Sequence, residues 1–303
     1  MKTSALHATR CAICQTEGNA TELYPANFDE TAFDEAVFSA RRLPDGVHYR
    51  IVKCNRCGLV RSDPTVDLET LARLYQRSTF TYEDEIPDLK LTYGRYLAQL
   101  EAYGVHKGAL LEIGSGNGFF LEVALEQGYT SVRGVEPSAQ AIEQADAKIR
   151  PHLTCGLMEP GLFEPEAFDV VCIFQTLDHI VDPGAMLEEC HRILRPGGFL
   201  LAYNHNVEAV SARLLGERSP IIDIEHTYLY SFETMSRIAV AHGFEVRAIG
   251  AGYNRYKVHY LAHLLPLPRR LKAPALAALR RNPVGQIRLS VPLGNLYLIA
   301  QKK

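Results

Sequence analysis

Residues 110–120 read LLEIGSGNGFF, in which a short apolar run enters a turn containing Gly114, Gly116 and Gly118. Glu112 stands two positions before the first of these glycines. The residues after the turn have a helical pattern, so the turn joins a strand to a helix. Open α/β sheets bind ligands outside the carboxyl ends of their strands, where such a turn lies. The stretch therefore predicts a ligand-binding loop.

The glycine spacing helps to choose among ligands. It departs from the dinucleotide fingerprint G-x-G-x-x-G, because the third glycine comes one position early and Phe119 occupies the expected place. A helix N-terminus attracts phosphate, but the carboxylate of Glu112 opposes an anion. S-adenosylmethionine carries an ammonium and a sulfonium and has no phosphate, so a carboxylate beside open glycine backbone suits it. An NAD-dependent oxidoreductase is the alternative enzyme class, and it fits this loop less well.

A second acidic residue, Glu136, lies 18 positions after Gly118, in the stretch RGVEPS. It ends the next predicted strand. An acidic residue at this offset suits a bidentate hydrogen bond to the hydroxyls of a ribose. The loop and the second strand together predict a nucleoside-containing ligand with a positive charge.

Strand and helix patterns alternate from Ala109 onward, and this rhythm predicts a doubly wound α/β sheet. The run FDVVCIF (168–174) is almost wholly apolar, as in a central parallel strand that is buried on both faces. A helix is expected from Pro183 to the Pro-Gly-Gly at 196–198, and another over SAQAIEQADAKIR (138–150), with Ser138 as its N-cap. A helix at 231–242, a strand at 243–251 and a last strand, NLYLIAQK, complete the pattern.

Four of these stretches, in order, resemble the motifs of class I S-adenosylmethionine-dependent methyltransferases: LLEIGSGNGFFLEVA, RGVEPS, FDVVCIFQTLDHI and LRPGGFLLA. The resemblance covers about residues 108–250 and implies a Rossmann-like sheet of seven strands, the last of them antiparallel. It also implies the cofactor contacts, which are Glu112, Gly114, Ser115, Gly116 and Gly118 around the methionine part, Glu136 and Pro137 at the ribose, Leu157 and Met158 at the adenine, and Gln175 beside the methionine part.

Two C-x-x-C pairs, CAIC (11–14) and CNRC (54–57), predict a structural zinc site with four thiolate ligands: Cys11, Cys14, Cys54 and Cys57. A redox C-x-x-C would be single and would open a helix in a thioredoxin-like unit. The segment between the pairs predicts a hairpin around Pro44-Asp45-Gly46. The other three cysteines, Cys155, Cys172 and Cys190, are expected to be buried core thiols.

The chain divides by composition into a zinc ribbon (1–63), a helical linker (64–107) and a methyltransferase domain (108–303) with an acceptor-side insertion at about 252–290. The ribbon and the following GLVRSDPTVDLETLARLY resemble the N-terminal module of a bacterial subgroup of these methyltransferases. That subgroup acts on sugars, lipid-linked or nucleotide-linked glycans and other small metabolites. The resemblance therefore implies a small-molecule, sugar or glycan acceptor.

Composition narrows the partners and the location. The net charge of −3 argues against a nucleic-acid partner. An RNA methyltransferase with a zinc-binding module is therefore kept only as an alternative function. A non-catalytic zinc-dependent binding protein on the same scaffold is the other alternative. The N-terminal residues lack a signal-peptide pattern and no apolar run is long enough to span a bilayer, so we expect a cytoplasmic protein. Residues 256–282 predict a helical insertion, or alternatively a lid or a peripheral membrane contact.

The acceptor site is expected after the fourth and fifth strands of the domain. The candidate bases are His226, His179 and His205, with His226 preferred because its segment, DIEHTYLYS, is rich in polar groups. In an extended segment, His226 would share a face with Tyr228. O-methylation with a histidine general base is the favoured chemistry, and transfer to carbon or nitrogen stays open. The expected acceptor contacts are Asp178, Asn204, Asp223, Glu225 and Tyr228.

Overall fold

The computed structural model of the chain describes residues 6–28, 46–76, 85–264 and 269–303. Its N-terminal part contains short strands and two helices: β1 (Leu6–His7), β2 (Ala20–Tyr24), β3 (Ile51–Cys54), β4 (Val60–Ser62), β5 (Thr65–Val66), α1 (Leu68–Gln76) and α2 (Ile86–Gln99). Both helices fit the helical stretches that the sequence predicts before Ala109. Most of the predicted hairpin around Pro44-Asp45-Gly46 lies outside the described residues.

Strands and helices alternate in the rest of the chain. They are β6 (Ala109–Ile113), α3 (Phe119–Glu126), β7 (Ser131–Glu136), α4 (Ala139–Glu143), β8 (Leu153–Cys155), β9 (Phe168–Phe174), α5 (Pro183–Ile193), β10 (Leu194–His205), α6 (Val210–Leu215), β11 (Tyr228–Leu229), α7 (Phe232–Ala241), β12 (Phe244–Lys257), α8 (Val258–Leu264), α9 (Arg269–Arg281), α10 (Pro283–Gln286) and β13 (Arg288–Lys302). Short 3₁₀ turns lie at Leu100–Tyr103, Arg150–His152, Leu177–His179 and Gly216–Arg218.

Seven strands form the main sheet, in the order β12–β13–β10–β9–β6–β7–β8. Strands β6 to β10 run parallel to one another, whereas β13 is antiparallel to both of its neighbours. The predicted doubly wound, Rossmann-like fold with an antiparallel last strand is therefore confirmed. The strand order reverses at β6, because β7 lies on one side of it and β9 on the other. Such a switch point opens a crevice above the strand ends, and the glycine loop follows β6 there.

Helices cover both faces of the sheet, which explains why β9 is buried along its whole length. Alternate residues of β9 enter opposite cores: Val171 packs on the side of α5 and α7, and Val170 on the side of α2 and α3. This double burial accounts for the continuous apolar sequence of the strand.

Three local details differ from the sequence expectations. Ser138 caps α4 as predicted, accepting from the Ala141 N–H at 3.2 Å, but that helix ends at Glu143. Strand β10 begins at Leu194, ahead of the Pro-Gly-Gly expected to end the helix, and an irregularity after Leu194 absorbs these residues. Cys172 and Cys190 are buried, whereas Cys155 is exposed because β8 is the edge strand of the sheet.

A second sheet joins the N-terminal part to the later chain, in the order β11–β4–β3–β2. Its β4–β11 pairing is antiparallel, with Tyr228 opposite Arg61 and Leu229 opposite Val60. The core beneath it is shared, because Cys11 and Leu59 belong to the same apolar cluster as α5 and α7. The N-terminal sheet is thus completed by a strand that lies far along the sequence.

Candidate active site

The glycine loop turns sharply between β6 and α3. Gly114, Gly116 and Gly118 all have positive φ, at 76°, 54° and 74°. A Cβ on Gly114 would lie 2.2 Å from the Thr176 hydroxyl oxygen, and one on Gly118 would lie 2.5 Å from an Ile149 methyl carbon. Positive φ and close approach both require glycine at these two positions. The loop therefore keeps bare backbone facing the space above the strand ends.

Glu112 is almost fully buried at the end of β6, with 2% of its surface exposed. Its Oε2 atom has no hydrogen-bond partner among the described residues. Burial, and then the nearby Glu136, raise the pKa of Glu112 well above its ordinary value. A buried carboxyl oxygen without a partner is unfavourable by itself, so the position fits a group that receives its cationic partner from a ligand.

Glu136 holds the glycine loop from the end of β7. Its two carboxyl oxygens accept hydrogen bonds from the N–H groups of Gly116 and Ser138, each at 2.8 Å. Burial raises the pKa of Glu136, and the two backbone hydrogen bonds act in the opposite direction. The carboxyl therefore lies at the carboxyl end of the second strand, beside the loop.

One large cavity, with a volume of about 1820 Å³, opens above this edge of the sheet. Most of the cofactor residues expected from the sequence line it: Glu112, Gly114, Ser115, Gly116, Glu136, Pro137, Leu157, Met158 and Gln175. Gly118 is not among the lining residues, since it is the N-cap residue of α3 and lies against Ile149. The cavity exceeds the volume that a single drug-sized ligand usually needs, so it has room for two ligands.

Gln175 occupies a strained position at the end of β9, with a φ of 49°. Its side-chain amide donates to Asn295 Oδ1 at 3.0 Å, while its Oε1 atom is buried without a hydrogen-bond partner in the described structure. A left-handed conformation in a residue other than glycine is uncommon and often marks a functional site.

The acceptor-side candidates form a cluster around the carboxylate of Asp178, which is fully buried. The His205 Nδ1–H donates to its Oδ2 atom at 2.6 Å, and the Asn204 amide donates to its Oδ1 atom at 3.0 Å. The Nε2 atoms of His179 and His226 lie 3.7 and 4.0 Å from the same carboxylate. The structure thus brings together three imidazoles that sequence reasoning could only place on separate loops.

Protonation differs within this cluster. Burial, followed by the neighbouring His205, lowers the pKa of His226 to about 3, and Asp178 offsets this only in part. Burial also lowers the pKa of His179. Burial alone would raise the pKa of Asp178, yet His179 and His205 hold it below its usual range. Near neutral pH, Asp178 is therefore a carboxylate and His226 is a neutral imidazole.

The other acceptor-side residues divide into those that face the cavity and those that do not. His179, His205, Asp223, Glu225 and His226 line the cavity. Asp178 and Asn204 lie behind this lining and are fully buried.

Tyr228 lies outside the cavity and donates its hydroxyl hydrogen to the Arg10 carbonyl at 2.8 Å, so it contacts the N-terminal part of the chain. The segment before it is also not extended, as assumed from the sequence. The His226 N–H donates to the Asp223 carbonyl at 3.1 Å and closes a turn. Alternation of faces therefore does not apply to residues 223–226.

Tyr75 is a site residue that sequence reasoning missed. It lies on α1 and lines the cavity, and its hydroxyl is 2.7 Å from His179 Nδ1. The insertion also contributes to the wall, through Tyr256, Tyr260 and Lys272. The rings of Tyr256 and Tyr260 stack with centroids 5.1 Å apart. No motif marks these positions, because the fold alone brings them to the cavity.

The paired cysteines converge at a separate place, in the N-terminal part. The sulfur atoms of Cys11, Cys14, Cys54 and Cys57 all lie within 4.8 Å of one another. Such a group of four thiols is compatible with one tetrahedral metal ion.

Within the described ranges, no helix has both the length and the apolar character that crossing a bilayer requires.

Comparison with known proteins agrees with this geometry. Residues 111–202 match a family described as methyltransferase domain. The ubiquinone biosynthesis O-methyltransferase of Pseudomonas paraeruginosa is 29% identical over 177 residues, which cover 53% of this chain and 75% of that protein. The protein of the same name from Pseudomonas fluorescens is 30% identical over 124 residues, covering 38% and 53%.

A similar fold occurs in a solved structure from Thermotoga maritima, described as an S-adenosylmethionine-dependent methyltransferase and possible histamine N-methyltransferase. It superposes with a TM-score of 0.50 at 20% identity, covering 77% of this chain and all of that one (100%). At this identity the likeness shows the fold alone. This fold, the matched domain and the two O-methyltransferases lead to one assignment. The chain is an S-adenosylmethionine-dependent methyltransferase with a Rossmann-like fold, and residues 111–202 match the methyltransferase domain.

Proposed function

We propose that this enzyme methylates a hydroxyl oxygen of a small-molecule acceptor and that His205, oriented by Asp178, is the general base. The observation that carries the proposal is the 2.6 Å contact between His205 Nδ1 and the buried carboxylate, on the wall of the cavity that also contains the glycine loop. A carboxylate that accepts from one ring nitrogen leaves the other nitrogen able to take a proton.

The cofactor half of the cavity fits S-adenosylmethionine on two observations. The buried Oε2 of Glu112 has no hydrogen-bond partner among the described residues, and the ammonium of the cofactor could be that partner. The glycines leave the backbone open, so the cofactor can approach it closely. Glu112 and Gly116 would hold the methionine part, and Glu136 would accept from the ribose hydroxyls. When bound, S-adenosylmethionine supplies an electrophilic methyl group, which passes to the acceptor oxygen while the sulfur keeps the bonding electron pair.

The choice of base departs from the one the sequence favoured. His226 is buried, with a pKa lowered to about 3, so it holds a proton too weakly to be an efficient base near neutral pH. His205 is partly exposed to the cavity and has its tautomer fixed by Asp178. His226 and His179 instead pack against this dyad, with ring centroids of His205 and His226 4.6 Å apart.

The acceptor half of the cavity has apolar and aromatic side chains in its wall. Leu71 and Tyr75 of α1 face it together with the stacked Tyr256 and Tyr260. The names of the two Pseudomonas relatives state O-methyl transfer in ubiquinone biosynthesis, which supports an oxygen acceptor on a partly apolar molecule. Sugars and glycans belong to the same proposal as polar alternatives. Contact of residues 256–282 with a membrane surface stays a prediction.

The four cysteines would hold a structural zinc ion, and the chain would divide into ribbon, linker and methyltransferase domain as the sequence predicts. All four ligands in such a site are protein thiolates, so the site is closed and not catalytic. Its role would be to fix β3 and β4, because Cys54 ends β3 and Cys57 lies in the turn that leads to β4.

The test uses the purified, zinc-replete protein with S-adenosylmethionine and a panel of catechols, hydroxy acids, sugars and nitrogen nucleophiles. We expect S-adenosylhomocysteine to form with a hydroxylated acceptor, and NMR of the product to show a new O–CH₃ group. Transfer to nitrogen or carbon in place of oxygen would overturn the oxygen assignment.

The base is tested with His205→Gln, which should lower kcat by about 10²- to 10⁴-fold, the usual contribution of a general base. Binding of S-adenosylhomocysteine should not change, because His205 is not at the glycine loop. His259→Gln is the matched control, since His259 lines the same cavity but lies outside the Asp178 cluster, and its Nδ1–H donates to the Gly285 carbonyl at 3.1 Å. Full turnover in His205→Gln would remove it from this role.

A further inference from the structure

The Asp178 cluster has a second feature that proton transfer does not explain. One carboxylate oxygen of Asp178 and one ring nitrogen from each of His179 and His226 lie within 4.8 Å of one another. His179 Nε2 lies 3.7 Å from Oδ1 of Asp178, and His226 Nε2 lies 4.0 Å from Oδ2. Ligand atoms at about 2.0–2.2 Å from one ion are roughly 3–4 Å apart, so these three atoms need little movement to share an ion.

The hydrogen bonds of His226 show which ring nitrogen is available. Its Nδ1 lies 2.8 Å from the carbonyl oxygen of Ile221, and a carbonyl only accepts, so Nδ1 carries the hydrogen. In the neutral ring, Nε2 then holds a lone pair directed at the cluster. Metal-binding histidines have this arrangement, in which the second ring nitrogen donates to a backbone carbonyl or a similar acceptor.

His179 is held from its other side by Tyr75. Its Nδ1 is 2.7 Å from the Tyr75 hydroxyl, which leaves Nε2 facing Asp178. The Nε2 lone pair of His226 and the carboxylate of Asp178 therefore converge in a buried space beside His179 Nε2. The 3.7 Å separation between His179 Nε2 and Asp178 Oδ1 is too long for a hydrogen bond.

Charge points in the same direction. Asp178 is fully buried, and its ion-pair partners among the described residues are all imidazoles. Buried carboxylates usually have a fixed cationic partner or coordinate a metal. A divalent ion among these three ligands would supply the missing positive charge.

We propose that Asp178, His179 and His226 bind a divalent transition-metal ion at the acceptor end of the cavity. Two imidazoles and one carboxylate favour an ion such as Zn²⁺, Mn²⁺ or Fe²⁺ over Mg²⁺ or Ca²⁺, which prefer oxygen ligands. The set leaves coordination positions open. His179 and His226 line the cavity, so those positions face the acceptor.

The ion would determine the class of acceptor. This step rests on the proposed O-methylation. A bound hydroxyl loses its proton more readily on a divalent ion, and His205, which contacts Asp178 without belonging to the ligand set, would receive that proton. Beside three protein ligands, an ion that reaches five or six coordination has room for both oxygens of an acceptor with oxygens on adjacent carbons, as in a catechol or an α-hydroxy acid. The ion therefore selects for a chelating dioxygen group.

The test titrates Co²⁺ into full-length protein whose cysteine site already carries zinc, and follows both calorimetry and the visible spectrum. We expect one further Co²⁺ per chain, with the weak absorption of nitrogen and oxygen ligation and without thiolate charge-transfer bands. His226→Ala and His179→Ala should each weaken this binding by at least about tenfold, in the range seen when coordination is disturbed. His259→Ala should not alter it.

Unchanged binding of S-adenosylhomocysteine shows that each variant is folded. Failure of the parent protein to take up Co²⁺, or equal uptake by His226→Ala, overturns the metal site. These outcomes are separate from the fate of the proposed function. Co²⁺ uptake without any O-methylated product supports the site and counts against the function, whereas full turnover after removal of the second ion supports the function and overturns the ion's role in acceptor binding.

Discussion

Glu112 connects the protonation of a single side chain to cofactor binding. In the free protein, burial and Glu136 raise the pKa of Glu112, so its carboxyl retains a proton to a higher pH than usual. A ligand ammonium favours the ionised form. Binding should therefore release a proton, and affinity should rise with pH until Glu112 of the free protein is itself ionised.

We expect the affinity for S-adenosylhomocysteine to rise by up to about tenfold per pH unit over this range, which corresponds to one released proton. Calorimetry in buffers of different ionisation enthalpy measures that proton directly. Glu112→Gln should lose affinity and reduce the release by about one proton, leaving only a smaller contribution from Glu136. The exposed Glu126→Gln is the control. The same proton release in Glu112→Gln would show that another group is responsible.

At the scale of single residues, sequence reasoning located the cofactor side better than the acceptor side. Glu112 and Glu136 follow strands at fixed offsets from a recognisable loop, so their position is encoded locally. Tyr75 meets His179 across 104 positions of sequence, and only the packing of α1 over the cavity creates that contact. The turn at 223–226 was missed because its hydrogen bonds, not its polarity pattern, determine its shape.

The glycine loop is the element whose geometry is most constrained. Gly114 and Gly104 share a φ of 76°, but only Gly114 has a neighbour where a Cβ would stand, at 2.2 Å from Thr176. Gly104→Ala should therefore show the conformational cost alone, about 1 kcal/mol. Gly114→Ala should lose a further 1–3 kcal/mol, roughly, through overpacking.

Urea unfolding monitored by circular dichroism measures both losses, and calorimetric titration measures the affinity for S-adenosylhomocysteine. Gly104→Ala should bind it as the parent does, whereas Gly114→Ala should bind it weakly. Equal stability and equal affinity in the two variants would mean that Thr176 moves aside and that the loop tolerates a side chain.

Elements with a strong sequence pattern were predicted well. The run 168–174 became β9 with the same bounds, because burial on both faces leaves an unmistakable apolar sequence. Helix α4 was predicted too long, since a polar sequence of good helix formers does not reveal that Asp146 accepts from the Lys148 N–H and forms a turn. The pairing of β11 with β4 had no local signal at all.

At the scale of the whole molecule, hydrogen bonds from β4 connect the proposed zinc site to the acceptor-side loop at residues 226–227. Ser62 of β4 donates its hydroxyl hydrogen to the His226 carbonyl at 2.8 Å, and its N–H donates to the Thr227 carbonyl at 2.9 Å. The Thr227 N–H donates to the Asp178 carbonyl at 2.8 Å. Disorder in β4 should therefore reach the Asp178 cluster while leaving the glycine loop intact.

Cys54→Ser tests this link. We expect the midpoint of thermal unfolding to fall by about 5–10 °C, as for a loss of a few kcal/mol in a domain of this size. Turnover should fall sharply, and affinity for S-adenosylhomocysteine should stay near that of the parent. Cys155→Ser, at an exposed cysteine outside the cluster, is the matched control. If Cys54→Ser kept both its zinc content and its turnover, the proposed structural site would be refuted.

The strand pair β4–β11 also has a consequence for how the chain folds during synthesis. Its partners lie about 168 positions apart, since Leu229 pairs with Val60 and Tyr228 with Arg61. The N-terminal sheet begins first on the ribosome but cannot be completed until residue 229 has emerged. Long-range pairing of this kind slows folding and leaves a strand edge open in the meantime. A nascent chain stalled before residue 228 should therefore expose β4 and depend on chaperones more than the finished protein does.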